Sequence, residues 1–159
     1  MLTSARFRSV LGHFPSGVVA ITGRDAKGGP AGMAVSSFTS VSLDPPLVAF
    51  LPGKTSSTFP VIARRGTFCV NVLAVGQEDL CQALAVPGAD KFAGVDWHPG
   101  PHGDPVLDGV VAWIGCTIEA MHDAGDHRIV IGRVDDLAAG TAAEPLLFFR
   151  RRYHHLAAA

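Results

Sequence analysis

The chain has 159 residues, 48% of them hydrophobic, with 13 Lys plus Arg against 14 Asp plus Glu and a formal net charge of -1. That suffices for one domain with its own core and is short for two of ordinary size. The balanced charge leaves no basic surplus to hold a polyanion, which excludes nucleic acid as the main partner, and no segment approaches the roughly 20 apolar residues that span a bilayer.

In chain order, "TSARFRSVLGH" (3–13) places Phe7, Val10, Leu11 and Phe14 at helical spacing behind a Thr or Ser cap, and Pro15 closes the segment. "SGVVAITG", the turn "RDAKGGPAG" and "GMAVSSFTSVSLDPP" (32–46) predict an antiparallel hairpin whose second strand ends at Pro45–Pro46. "LVAFL" (47–51) is a third strand. "STFPVIARRG" is a helix capped by Ser56 or Ser57 and stopped at Gly66. "TFCVNVLA" is a fourth strand and "GQEDLCQALAV" a further helix, followed by a long irregular connection to Gly109. "VVAWIGCTIEAMH" and "HRIVIGRVDDLA" form a hairpin around "DAGD" (123–126), and "PLLFFRRRY" supplies one last strand. Strands outnumber helices and pair with sequence neighbours, so the fold class is mainly β: an antiparallel barrel with a few covering helices. No G-x-G-x-x-G is present, and any dinucleotide would be held some other way than in a Rossmann fold.

The N-terminal "MLTSARFRSVLGHF" lacks the apolar run of a signal peptide, so a soluble, cytoplasmic protein is expected, with one domain over 1–153 and a tail over 154–159. Cys69, Cys81 and Cys116 each sit in an apolar pattern without a C-x-x-C pair and read as buried reduced thiols. His98 and His102 lie among Pro and Gly and His122 and His127 straddle a turn, so no pair has helical i, i+4 metal geometry and no metal site is expected.

Two stretches carry chemistry. In 32–46 the alternate residues Gly32, Ala34, Ser36, Phe38, Ser40 and Ser42 are nearly all small, so that face either meets water at a sheet edge or leaves the backbone open to a flat polar ligand. Met33, Phe38 and Val41 give the segment apolar residues on both faces, which favours the ligand. "GKTSST" joins a lysine to hydroxyls before a helix start, a pattern equally suited to a phosphate ester and to plain capping.

The series "FRSVLGHFPSGVVAIT", "GMAVSSFTSVSLDPPLVAF", "KTSSTFPVI", "GTFCVNVLA", "ADKFAGVDW", "AGDHRIVIGRV" and "PLLFFRRRY" resembles, in order and spacing, the flavin reductase family with an FMN-binding split-barrel fold. Its wording is closest to reductase components of actinobacterial aromatic and steroid-ring hydroxylases. The resemblance implies an NAD(P)H:flavin oxidoreductase, NADH favoured over NADPH, that reduces FMN or FAD and passes reduced flavin to a separate monooxygenase. It also implies a homodimer. Alternatives on the same barrel are a flavin-binding redox module without reductase activity and a pyridoxamine-phosphate-oxidase-like enzyme.

Carried onto this sequence, the family pattern gives the flavin ring to Met33, Ala34, Val35, Ser36, Ser37, Ser40 and Val41, and the phosphate to Lys54, Thr55, Ser56 and Ser57. Lys91, by itself a solvated surface lysine, falls near the flavin together with Phe92. His127, by itself a turn residue at the start of a strand, becomes the group that holds the nicotinamide, with Asp126 orienting it. Tyr153 either closes the same cleft or packs the barrel end.

Overall fold

A computed structural model describes residues 1–88, 90–142 and 144–157. Thr3 accepts from the Arg6 amide at 3.2 Å and caps α1 (Ser4–Leu11), satisfying an amide that a helix start leaves free. Its apolar residues Phe7, Val10 and Leu11 stay more than half exposed. After β1 (Ser16–Gly17), β2 (Val19–Arg24) and β3 (Pro30–Val35) form the expected hairpin.

The strand expected over 32–46 is interrupted. β3 stops at Val35, residues 36–38 leave the sheet, and β4 (Thr39–Leu43) begins a second strand that pairs with β5 (Pro46–Phe50). Pro46 therefore opens β5, and Asp44 and Pro45 lie between the strands. The N-cap of α2 (Phe59–Ala63) is Thr58, not the expected Ser56 or Ser57, and its side chain makes no cap bond; Ser56 Oγ accepts from the Phe59 amide at 3.1 Å from two residues further back, and Gly66 ends the segment at φ 72. β6 (Thr67–Val72) and α3 (Glu78–Ala85) follow as expected.

The long connection contains a small hairpin, β7 (Trp97–Pro99) and β8 (Pro105–Leu107). β9 (Ala112–Ala124) and β10 (His127–Ala139) pair from Ala124↔His127 onward, so their turn is only Gly125–Asp126, with Gly125 at φ 63. The single last strand is instead a hairpin, β11 (Leu147–Phe149) and β12 (Arg152–His154), turning at Arg150–Arg151. His154 pairs with Leu147, so part of the expected tail belongs to the sheet structure. Ala158 and Ala159 of that tail lie outside the described residues.

Seven strands form one antiparallel sheet in the order β3-β2-β6-β9-β10-β5-β4. Six gaps of about 4.8 Å would put its edges about 29 Å apart if it were flat. The three residues between Val35 and Thr39 allow at most about 14 Å of extended chain. The sheet must roll until β3 approaches β4, which makes a barrel split between those strands. Ser37 bridges the split: its Oγ accepts from the Leu51 amide at 3.0 Å and donates to the Leu51 carbonyl at 3.3 Å. Phe38 then packs against the same cluster as Met33 and Val35, so the strict alternation expected through 32–46 resets at the break.

The roll creates two cores. Inside it, Val19 and Ile21 of β2 pack with Phe50, Phe59, Phe68, Val70 and Val130, and Phe50 meets Phe59 and Phe68 edge-on at centroid distances of 5.7 and 5.2 Å. Val18 and Ala20, the alternate residues, face outward beneath Leu84 of α3, Phe92, Leu107 and Leu146. Buried Asn71 ties this second layer to the sheet. Its Nδ2 donates to Thr22 Oγ1 at 3.0 Å and to the Pro105 carbonyl at 3.2 Å, while its Oδ1 accepts from the Leu107 amide at 2.8 Å. Asn71→Ala strands buried partners on both sides and is expected to lower stability by about 2–4 kcal/mol in urea unfolding, a loss larger than that of one ordinary hydrogen bond; a change below about 0.5 kcal/mol would show that water replaces the amide fully.

Candidate active site

The split in the barrel opens into a broad cleft. The cleft, of about 1050 Å³, is walled by Met33–Ser37, by Leu51–Gly53, by Ala124, Asp126 and His127, and by the first turns of α1. A second groove of about 330 Å³ is lined by Thr55–Thr58, Leu84, Ala85, Pro87 and Lys91. Met33, Ala34 and Gly53 line both, so the two form one track across β3.

β3 is an edge strand that pairs only with β2. Lys91 Nζ donates to the Gly32 carbonyl at 3.3 Å, which places that carbonyl on the open edge. In an antiparallel strand, residues two apart point their backbone groups the same way, so the amide and carbonyl of Ala34 also face the track, and Ser36 lines it just past the point where the chain leaves the sheet. Their short side chains leave that backbone reachable. The free edge, ordinarily a liability, is here a row of donors and acceptors for a planar polar molecule.

At one end, backbone bonds stitch the loop after β5 to the β9–β10 turn. The Lys54 amide donates to the Asp126 carbonyl at 2.8 Å and the Arg128 amide to the Pro52 carbonyl at 3.0 Å. This fixes His127 beside Gly53, where a β-carbon would lie 3.8 Å from His127 Nε2. His127 Nδ1 is 2.8 Å from Asp126 Oδ1. The hydrogen bond from His127 holds the Asp126 carboxyl below the usual range, so at neutral pH it is an acceptor and Nδ1 must carry the proton. Nε2 is left for a ligand.

At the other end, Lys91 Nζ donates to the Leu84 carbonyl at 3.1 Å and to Thr58 Oγ1 at 3.2 Å in addition to Gly32. Burial draws its pKa below the ordinary lysine value. No carboxylate lies within ion-pair distance of it among the described residues. An ammonium held by neutral acceptors beside Thr55, Ser56, Ser57 and Thr58 is a donor set suited to a phosphate ester.

Several sequence-derived residues stand elsewhere. Lys54 reaches Asp123 Oδ2 at 3.3 Å and lines neither part of the track. Ser40 and Val41 lie on β4, beyond the break, and Val41 is half exposed. Phe92 is buried in the outer core, its ring against Gly32 on the strand's other side. Tyr153 packs on Phe148 at 5.7 Å in a small cavity with Cys81 that shares Ala34, Val35 and Ser36 with the track but does not include His127, and burial pushes its phenol up to about 12. All three cysteines are buried and free, and burial pushes Cys69 and Cys116 up to about 12, far from nucleophilic thiolates. The loop Leu51–Gly53 and the α1 residues Thr3, Phe7 and Arg8 join the cleft without any sequence signal that marks them.

The chain matches the family described as "Flavin reductase like domain" over residues 11–157. It is 49% identical over 152 residues to a flavin reductase of Pseudomonas putida, covering 96% of this chain and 89% of that one. It is also 49% identical over 148 residues to the reductase subunit HsaB of a flavin-dependent monooxygenase from Rhodococcus jostii, covering 93% and 75% of the two chains. Among solved structures, the NADH:FAD oxidoreductase SgcE6 of Streptomyces globisporus superposes with a TM-score of 0.90 at 36% identity, covering 99% of this chain and 98% of that one.

Proposed function

The chain belongs to the flavin reductase-like family, and from that premise we propose that the track across β3 holds a flavin along its length, with the reduced nicotinamide nucleotide entering over it beside His127. The protein is an NAD(P)H-dependent flavin reductase that supplies reduced flavin to a monooxygenase. The observation that carries the site assignment is the continuity of the track: an imidazole at one end, an open strand edge in the middle, and an ammonium with four hydroxyl residues at the other.

Bound flavin and nicotinamide supply the two-electron chemistry between themselves. The chain's work is placement. The backbone of Ala34 and Ser36 bonds the polar rim of the ring, and Lys91 with Thr55, Ser56 and Ser57 holds the phosphate. Lys54, engaged with Asp123, is left out of this reading. His127, fixed through Nδ1 by Asp126, offers Nε2 to the nicotinamide and keeps it within reach of the ring. Leu51, Pro52 and Phe7 flank the cleft and exclude water from one side. The track lies on the surface, which suits a flavin that must leave again.

We also propose a homodimer in the cytoplasm. Leu43 is 95% exposed and Val41 51% exposed on edge strand β4, a combination of apolar surface and unpaired edge that a second copy would cover. The three free cysteines fit a reducing compartment. No helix among the described residues is long and apolar enough to cross a membrane.

The assignment is tested first by NADH oxidation in the presence of FMN, FAD or riboflavin; no flavin-dependent oxidation would overturn it. His127→Ala is expected to raise KM for NADH and lower kcat by roughly ten- to a hundredfold while flavin affinity holds, and a collapse of flavin affinity would instead make His127 a flavin or fold residue. Lys91→Met is expected to weaken FMN binding by roughly 1 to 3 kcal/mol and riboflavin binding much less, with Lys54→Met near parent for both; equal losses for FMN and riboflavin would remove Lys91 from the phosphate. In analytical ultracentrifugation the parent should sediment as a dimer and Leu43→Lys shift it toward monomer, and a monomeric parent would sink the dimer.

A further inference from the structure

Beside the cleft, between α1 and the β11–β12 hairpin, lies a separate cavity of about 400 Å³. Three arginines line it, Arg8, Arg150 and Arg151, together with the aromatic rings of Phe14, Phe148 and Phe149. None of the three guanidinium groups is in an ion pair among the described residues. Arg150 lies over the Phe149 ring, 5.2 Å from its centroid. The cavity shares Phe7, Arg8, Leu11 and Ser36 with the cleft that contains His127. Arg8 also stands close enough to Asp126 for its charge to act on that carboxylate.

The hairpin turn adds an independent observation. Phe149 pairs with Arg152, so Arg150 and Arg151 form a two-residue turn, and both have positive φ, 49 and 65. Such turns select Asn-Gly or Gly because left-handed backbone crowds a β-carbon. Here both positions carry long cations. The backbone tie that holds the hairpin to α1, Arg150 amide to Gly12 carbonyl at 3.0 Å, would be made by any non-proline residue. Local geometry thus disfavours the residue types that occupy the turn, which points to their side chains.

We propose that this cavity binds the adenosine diphosphate half of a dinucleotide whose other half lies in the cleft. The diphosphate meets Arg8, Arg150 and Arg151, whose planar forks suit paired phosphate oxygens, and the purine packs on the phenylalanine rings. The volume falls in the range of nucleotide-sized pockets. This rests on the flavin reductase reading for the cleft, whose nicotinamide donor carries that half; the flavin phosphate is assigned to the Lys91 end of the track, which shares no residue with this cavity.

The test uses Arg150→Asn/Arg151→Asn, a pair of residues that tolerates positive φ and removes both charges without straining the turn. Calorimetric titration of ADP-ribose into the flavin-free protein should show affinity about tenfold or more below the parent, and Arg8→Gln, on an exposed helix position, should lower it independently. The kinetic arms name the source. The ratio of kcat/KM for NADH over that for reduced nicotinamide mononucleotide should fall about tenfold, which places the donor's adenosine half here; a ratio that holds while FAD affinity falls relative to FMN would overturn that placement. ADP-ribose binding unchanged in both variants would overturn the proposal. A parent that binds ADP-ribose through these arginines yet oxidises no NADH would fail the reductase reading and leave the cavity's assignment standing.

Discussion

Three residues, Ser36, Ser37 and Phe38, connect the two opposite edges of a seven-stranded sheet. The link is too short for any flat or gently twisted sheet, so it forces the roll. It also prevents the roll from closing by ordinary strand pairing, because its residues leave the ladder there. Ser37 meets that loss with its side chain, satisfying both backbone groups of Leu51 in place of a strand neighbour. The same break leaves the outer edge of β3 unpaired at Ala34, next to Ser36 in the link itself.

What surrounds that edge follows from the two cores. The inner one, with its edge-on phenylalanines, fixes the curvature of the barrel and therefore the distance across the split. The outer one presses α3 and Phe92 against β3 so closely that a β-carbon on Gly32 would lie 2.9 Å from Phe92 Cζ. Only glycine permits that approach, and the approach brings Lys91 within reach of the Gly32 carbonyl and the Thr58 hydroxyl. The Asn71 network anchors the β7–β8 hairpin that closes the same layer. Stability and site geometry are thus coupled through one strand, packed on one side and open along its edge.

The electrostatics of the track are divided by end. His127 and Asp126 sit exposed on a turn, their geometry set by backbone bonds to the loop of Pro52 to Lys54, so the imidazole is positioned without being buried. Lys91 is partly buried among neutral acceptors, with no carboxylate at ion-pair distance among the described residues. A polar ligand laid across β3 meets a directional hydrogen-bonding group at one end and a cation at the other, and the orientation is decided by that difference.

The sequence determined the element inventory well, because the signals are local. The Thr3 cap, the Gly/Pro turn between β2 and β3, the stop at Gly66 and the apolar alternation of β9 and β10 all act within a few residues, and together with the family resemblance they established an antiparallel split barrel and marked the small-residue strand, "KTSST" and His127. Tertiary structure decided which side chains meet. Lys54 and Lys91 are both lysines near hydroxyls in the sequence, but Lys54 falls opposite Asp123 on a neighbouring turn, while Lys91, 59 residues from Gly32, is carried to the strand edge by the packing of α3 and Phe92. Ser40 and Val41 were displaced for the same kind of reason, because a break of three residues sends β4 to the far edge, while a turn at Arg150–Arg151 folds Tyr153 back onto the outer core beside Ala34–Ser36 and away from His127. The choice of partner depends on contacts between segments tens of residues apart, and periodicity within one segment carries no information about them.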